Sequence, residues 1–147
     1  MAYISTKTYG HEVGLSCCFR QWKAKNSHCQ KLHGYALAIR LEFKSDKLDD
    51  RNWVVDFGGL KDLKTTLQNY FDHKTLIAQD DPELSWFQDA AKQGILDLVE
   101  VPAVGCEKFA ELIYNLTNEW LNAKNLLCEL TSVEVKEHGA NSAIYKP

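Results

Sequence analysis

The sequence predicts an α+β domain with helices packed on one face of a mainly antiparallel sheet. Three observations lead there: a nine-residue alternation over 35–43, helical apolar spacing over 60–70 and 109–120, and a return to alternation over 130–136 and 142–145. Strands and helices therefore follow one another in blocks, strands first and last, which is the order of an α+β fold.

In the first block, Tyr35, Leu37, Ile39, Leu41 and Phe43 share one face while Ala36, Ala38, Arg40 and Glu42 share the other, the pattern of a half-buried strand. His33 has the parity of the apolar face. Lys44 to Lys47 and then Asp49 to Arg51 supply a polar turn, after which Trp53, Val54 and Val55 restart an extended segment, so a hairpin is expected. Asp56 is placed to cap a helix in which Leu60, Leu63, Leu67 and Tyr70 form the apolar stripe and which ends near Phe71. Asp72 and His73 then lie just beyond a helix end. Residues 83–93 fit a short helix stopped by Gly94, and 95–101 alternate like a short strand. Phe109, Leu112, Ile113, Leu116 and Trp120 mark a longer helix, and strands over 130–136 and 142–145 close the chain.

Size and composition bound what such a domain can do. A chain of 147 residues fits one domain, 1–147, with 45% apolar and 25% charged residues and no apolar run approaching the ~20 needed to span a bilayer. No cationic segment followed by an apolar core opens the chain, so a cytoplasmic location without membrane attachment is expected. Five cysteines, at 17, 18, 29, 106 and 128, form an odd set without a CxxC pair, which argues against a disulfide framework or a zinc ribbon. Reduced thiols also make Asn115-Leu116-Thr117 an irrelevant glycosylation match. Seventeen basic and twenty acidic residues leave no basic stripe, so nucleic acid is a poor partner and a small molecule or another protein a better one.

The chemistry-bearing residues stand at element ends, where a rigid scaffold presents functional groups. Cys29 is either an inert thiol or a nucleophile awaiting a base. His33 is either a satisfied core imidazole or a ligand. Asp72 followed by His73 is either a helix-end turn or a carboxylate orienting an imidazole to take a proton from a thiol or a substrate carbon. Glu137 continues the parity of Val133 and Val135; it either bends into water past the strand end or remains on the apolar face to receive a ligand's donors.

CQKLHGY at 29–35 resembles the CxxxHGH signature of the 6-pyruvoyltetrahydropterin synthase and 6-carboxytetrahydropterin synthase family. WVVDFGGLK at 53–61, FDHKTL at 71–76, GCEKFAELIY at 105–114 and VEVKEHGANSAIY at 133–145 are similar to further family motifs and follow in the family's order. Residues 81–102 have no counterpart in short members and read as an insertion. The resemblance implies the tunnelling fold, a four-stranded antiparallel sheet with two main helices on one face, assembled as trimers that pair into hexamers with active sites at subunit interfaces. It implies 7,8-dihydroneopterin triphosphate as the pterin substrate, Cys29 as catalytic cysteine, Asp72 and His73 as its activating and proton-shuttling pair, and Glu137 as the anchor of the pterin's amino and ring NH groups, whose two parallel donors suit a carboxylate. Glu107 also matches a family position, although a carboxylate in a first helical turn is explained by the helix dipole as well. Three residues between Cys29 and the histidine match the carboxy-forming branch, a lyase on the route to queuosine and other deazapurines; the pyruvoyl-forming branch usually has five.

The family's cofactor is zinc on three histidines, two from HGH and one from an earlier strand, leaving an open position for substrate oxygens. Here only His33 survives. Tyr35 stands in the place of the second histidine, and a phenol with a pKa near ~10 is a poor zinc ligand. The first position falls on Phe19 or on Cys18, depending on the alignment, and Cys18 would bind as thiolate. Three functions follow: a 6-carboxytetrahydropterin synthase-like lyase with a rebuilt metal site or none, a pterin enzyme with an altered zinc-independent reaction, or a non-catalytic pterin-binding protein.

Overall fold

The computed structural model describes residues 1–147, arranged as seven strands and three α-helices. The strands are β1 (Tyr3–Tyr9), β2 (Leu15–Phe19), β3 (His33–Ser45), β4 (Lys74–Ala78), β5 (Leu98–Val101), β6 (Glu129–His138) and β7 (Asn141–Tyr145). The helices are α1 (Lys61–Phe71), α2 (Leu84–Lys92) and α3 (Cys106–Ala123). The sheet runs β5-β4-β2-β3-β6-β7, with β1 also on β3. The expected α+β class holds. The four-stranded antiparallel sheet does not: β2–β4 and β4–β5 are parallel pairs, which makes the sheet mixed.

β3 is the spine. Its early half pairs with β2 (Leu15 opposite Leu37, Phe19 opposite His33) and its later half with β1 (Tyr9 opposite Ile39), so β1 and β2 lie end to end along one edge. The other edge carries β6, with Val135 opposite Ile39 and Val133 opposite Leu41. Both edges of β3 are thus occupied, which is why Trp53–Val55 cannot add as a hairpin strand. Instead the Asp49 carboxylate accepts the N–H groups of Arg51 (2.8 Å) and Trp53 (2.9 Å), the Arg51 guanidinium stacks 4.1 Å over the Trp53 ring, and Val55 drops into the core.

The apolar face of β3 is buried as its alternation predicts: Leu37, Ile39, Leu41 and Phe43 are solvent-free in one core cluster with residues of α1 and α3. α1 contributes Leu63, Leu67 and Phe71, and α3 contributes Phe109, Ala110 and Ile113. Asp56 accepts the Gly58 N–H at 2.9 Å, but it caps a 3-10 turn over Phe57–Leu60 that leads into α1. Gly94 does follow the end of α2, with φ at 76°.

The sheet extension comes from β4 and from residues 81–102. β4, α2 and β5 make a βαβ unit, the connection that parallel neighbours require. Leu76 and Ala78 face the main core; alternation turns Thr75 and Ile77 to the reverse side, where the buried Phe87 and Ala90 of α2 lie. A buried ion pair fastens this unit to the chain segment leading to Cys29: Arg20 donates Nε to Asp81 Oδ2 (2.9 Å) and Nη2 to Oδ1 (2.6 Å), and reaches the Gln30 carbonyl at 3.4 Å. Burial raises the Asp81 carboxyl, yet the Arg20 hydrogen bonds and the Glu83 N–H outweigh it and hold it below the usual carboxylate range. The pair therefore stabilises above the unfolded pKa and is lost as pH falls through the folded value. Asp81→Ala leaves Arg20 facing a buried side with no counter-charge, and a loss of about 3 kcal/mol is expected in denaturant unfolding.

Candidate functional site

Cys29 stands on a 3-10 turn, His28–Gln30, that is set by local bonds: Ser27 Oγ accepts the Cys29 N–H at 3.2 Å, and the Cys29 carbonyl accepts the Gln21 N–H at 2.8 Å. Its thiol is exposed. A cleft of about 570 Å3 opens beside this turn, lined by Arg20, Gln30, Lys31 and Leu32 on one wall and by Glu83, Trp86 and Phe87 of the β4–α2 segment on the other.

From the same turn the chain enters β3, where His33 and Tyr35 point to the helix side. Register places Phe19 opposite His33 and Cys17 opposite Tyr35, so these four share a face; Cys18 is opposite Gly34 on the other. Gly34 is required there, because a Cβ would come within 2.7 Å of the Cys17 carbonyl oxygen. Phe19, His33 and Tyr35 form an aromatic triangle with centroids 5.1, 5.5 and 6.1 Å apart. Phe19 also meets Phe109 of α3 edge-on at 5.0 Å, which ties the triangle to the core.

Glu137 does not bend into water. It sits at an irregularity in the β6–β7 pairing between Lys136 and His138 and remains beside Cys106, the first residue of α3. Burial, then the charges of Glu137 and Glu107, pushes the Cys106 thiol up to about 12, so it is held protonated against the carboxylate. Glu107, in the first turn of α3, turns its carboxylate back toward Gly105. The Tyr35 phenol is raised by burial first and then by the charges of Glu137, Cys29 and Cys106. His138, whose Nδ1 accepts the Ala140 N–H at 3.2 Å, lies 6.2 Å from Tyr35.

Asp72 and His73 are formed as a pair but are elsewhere. His73 Nδ1 donates to Asp72 Oδ1 at 2.7 Å, which leaves Nε2 with the lone pair on a side chain that is 88% exposed. The His73 backbone is left-handed, φ 59°, a strained conformation held by its N–H bond to the Ser16 carbonyl. Ser16 and the Arg20–Gln21 segment that partners Cys29 lie at opposite ends of β2, so the strand separates the pair from the thiol. Within one chain Glu137 and Glu107 lie by Cys106 at the start of α3, Tyr35 and Cys29 lie near enough for their charges to interact, and Asp72–His73 stands at the Ser16 end of β2.

The donor set does not fit the family's zinc. His33 is suited, since Nδ1 donates to the Lys31 carbonyl at 2.7 Å and Nε2 is free. Its neighbours in the triangle are a phenyl and a phenol. Cys18 faces the reverse side, where its Sγ bonds Thr75 Oγ1 at 3.2 Å, so the expected Cys18–His33 pair cannot share an ion: alternation separates them. Cys17 shares the right face but lies in the core, and burial, then Cys18 and Cys106, raises its thiol to about 12. No three His, Cys, Asp or Glu side chains of this chain gather as metal ligands. Residue spacing gave no sign of Cys106 or His138; the one available hint for Cys106 was its place between Gly105 and Glu107 at a helix start.

A model of the 6-pyruvoyl tetrahydropterin synthase family matches residues 10–147. A 6-carboxy-5,6,7,8-tetrahydropterin synthase of Aquifex aeolicus is 29% identical over 99% of each chain. That of Rickettsia conorii is 39% identical over 57 residues, 38% of this chain and 41% of its own length. Among solved structures, an uncharacterized Wolinella succinogenes protein superposes with a TM-score of 0.82 at 19% identity, covering 99% of this chain and 98% of its own. The 6-pyruvoyl tetrahydropterin synthase of Plasmodium falciparum does so with 0.66 at 18% identity, covering 98% and 96%. At these identities the two structures speak to the fold alone. No helix here is long and apolar enough to cross a membrane.

Proposed function

Because the chain belongs to the 6-pyruvoyl tetrahydropterin synthase family, we propose that it is a pterin lyase of the 6-carboxytetrahydropterin synthase type acting on 7,8-dihydroneopterin triphosphate. The observation that carries this reading is the convergence of Glu137, Cys106 and Tyr35 next to the Cys29 turn. A carboxylate at the edge of a half-buried face, beside the start of α3, is what a pterin's amino and ring NH donors need. The cleft beside Cys29 gives room for the triphosphate end, with Lys31 on its wall. Residues 81–102 are, on this reading, an insertion that builds the far wall of that cleft.

We assign the acid–base pair of each site to a second copy. His73, with Nδ1 held by Asp72, offers Nε2 as the base that takes a proton from the Cys29 thiol or from the substrate side chain. Assembly is supported by the open edges of the sheet: β1 pairs only with β3 and β7 only with β6, and they expose Tyr3, Ile4 and Ile144. We place the product in a deazapurine route of the queuosine kind. The second reading, a zinc-independent reaction on the same pterin, is favoured by the aromatic triangle in the metal's place.

The test is incubation of the purified protein with 7,8-dihydroneopterin triphosphate, with and without chelator, followed by product identification. Release of triphosphate and acetaldehyde with a 6-carboxy product is expected. A 6-pyruvoyl product would move the protein to the other branch, and an unconsumed substrate would leave only pterin binding.

A further inference from the structure

We propose that the zinc locus of the fold has been converted into an aromatic cluster that does not bind zinc, and that the Tyr35 hydroxyl donates to the substrate's side-chain oxygen where the metal would stand. The second half rests on the pterin reading; the first half does not.

The scaffold of the locus is intact. With Zn–N bonds of about 2.1 Å, two imidazoles on one tetrahedral ion have ring centroids roughly 5 Å apart. The Phe19–His33 and His33–Tyr35 separations are 5.1 and 5.5 Å, and Phe19–Tyr35 is 6.1 Å. All three side chains project from one face of the β2–β3 ladder, fixed by the pairing of Phe19 with His33 and of Cys17 with Tyr35. His33 also keeps the posture of a ligand, its Nδ1–H spent on the Lys31 carbonyl. What changed is the donors. Phe19 offers none, and its ring is packed edge-on against Phe109 of the core. Cys18, the neighbouring thiol, is committed to Thr75 on the reverse face.

A phenol in this place is not inert. Tyr35 lies on the same face as His33, 5.5 Å from it ring to ring, and after burial the charges of Glu137 and Cys29, the two residues that the pterin reading assigns to opposite ends of the reacting system, act on its phenol. A fixed O–H aimed at an oxygen that gains negative charge stabilises it without reorganisation, which is the kind of help a Lewis acid would otherwise give. The price is a weaker electrophile than zinc.

The experiment reads metal content and turnover separately. After exposure to excess zinc and gel filtration, the full-length wild-type protein is expected to retain no stoichiometric zinc, whereas Phe19→His combined with Tyr35→His, which completes three imidazoles with His33, is expected to retain about one ion per chain. Stoichiometric zinc on the wild type, or none on a folded double variant, overturns the conversion. Tyr35→His alone, expected to retain more zinc than the wild type, keeps the test open if the double variant does not fold; no gain overturns it equally. For the hydroxyl, Tyr35→Phe is expected to lower kcat about 100-fold while leaving pterin affinity within a factor of about two. An unchanged kcat, or a loss confined to KM, refutes the donor role. If no form of the protein consumes the pterin, the lyase reading fails while the zinc result stands.

Discussion

Cys29→Ala is expected to lower turnover of 7,8-dihydroneopterin triphosphate by two to four orders of magnitude, roughly 10²–10⁴-fold, with no loss of thermal stability. The thiol is exposed on a short 3-10 turn whose conformation is fixed by Ser27 Oγ and by the backbone bond to Gln21, neither of which involves the sulfur. Removing it therefore deletes chemistry and leaves the turn. The comparison with the other four cysteines makes the assignment specific. Cys17, Cys106 and Cys128 are buried and Cys18 is bonded to Thr75, so Cys29 is the one thiol from which a base can take a proton in the open. Steady-state kinetics with a melting curve on the same sample check it; a variant that turns over at the wild-type rate removes Cys29 from the mechanism.

The second large effect is expected at Glu137. Replacing it with glutamine turns one of two acceptor oxygens into a donor that faces the pterin's own NH groups. One hydrogen bond is replaced by a donor facing a donor and the other loses its charge assistance, about 3 kcal/mol together, so pterin affinity should fall roughly 100-fold. Unlike a surface carboxylate past the end of a strand, Glu137 is held at the β6–β7 irregularity beside the start of α3, and the fold supplies it with no cation in return. A half-buried carboxylate whose neighbour is the Cys106 thiol and not a cation is what a ligand-binding role explains. Calorimetric titration with a pterin, on the wild type and on Glu137→Gln, measures the difference; equal affinities would refute the anchor.

Much of this was legible in the residues. β3 could be read because every second side chain from Tyr35 to Phe43 is apolar, and Leu37, Ile39, Leu41 and Phe43 are fully buried while Arg40 and Glu42 between them are not; Ala38 on the other face is buried as well. α1, α2 and α3 were legible from three- and four-residue spacing. β2 and β4 were not, since LSCCF and KTLIA are too short to show a period, and β4 is buried on both faces, as a parallel strand must be. β1 was hidden because only Tyr9 of its seven residues is buried, so no apolar face marks it. The stretch Trp53–Val55 was misread as a hairpin arm because local pattern says nothing about whether an edge is free.

The site divides in the same way. Cys29, Asp72, His73 and Glu137 stood out as unusual types at element ends. Which of Phe19 and Cys18 occupies the metal position could not be told, because a shift of one residue moves a side chain to the other face, and only the register of Phe19 against His33 decides it. Cys106 and His138 entered the site through tertiary packing alone.

The proposal that this is a pterin lyase whose site is completed by a second copy is tested most directly by mixing two inactive variants. Cys29→Ala and His73→Ala chains, each inactive alone, are co-expressed and purified together, and the turnover of dihydroneopterin triphosphate is measured. If each site takes its thiol from one chain and its base from another, random assortment restores about one quarter of the wild-type rate. Two inactive variants that stay inactive when mixed would contradict it.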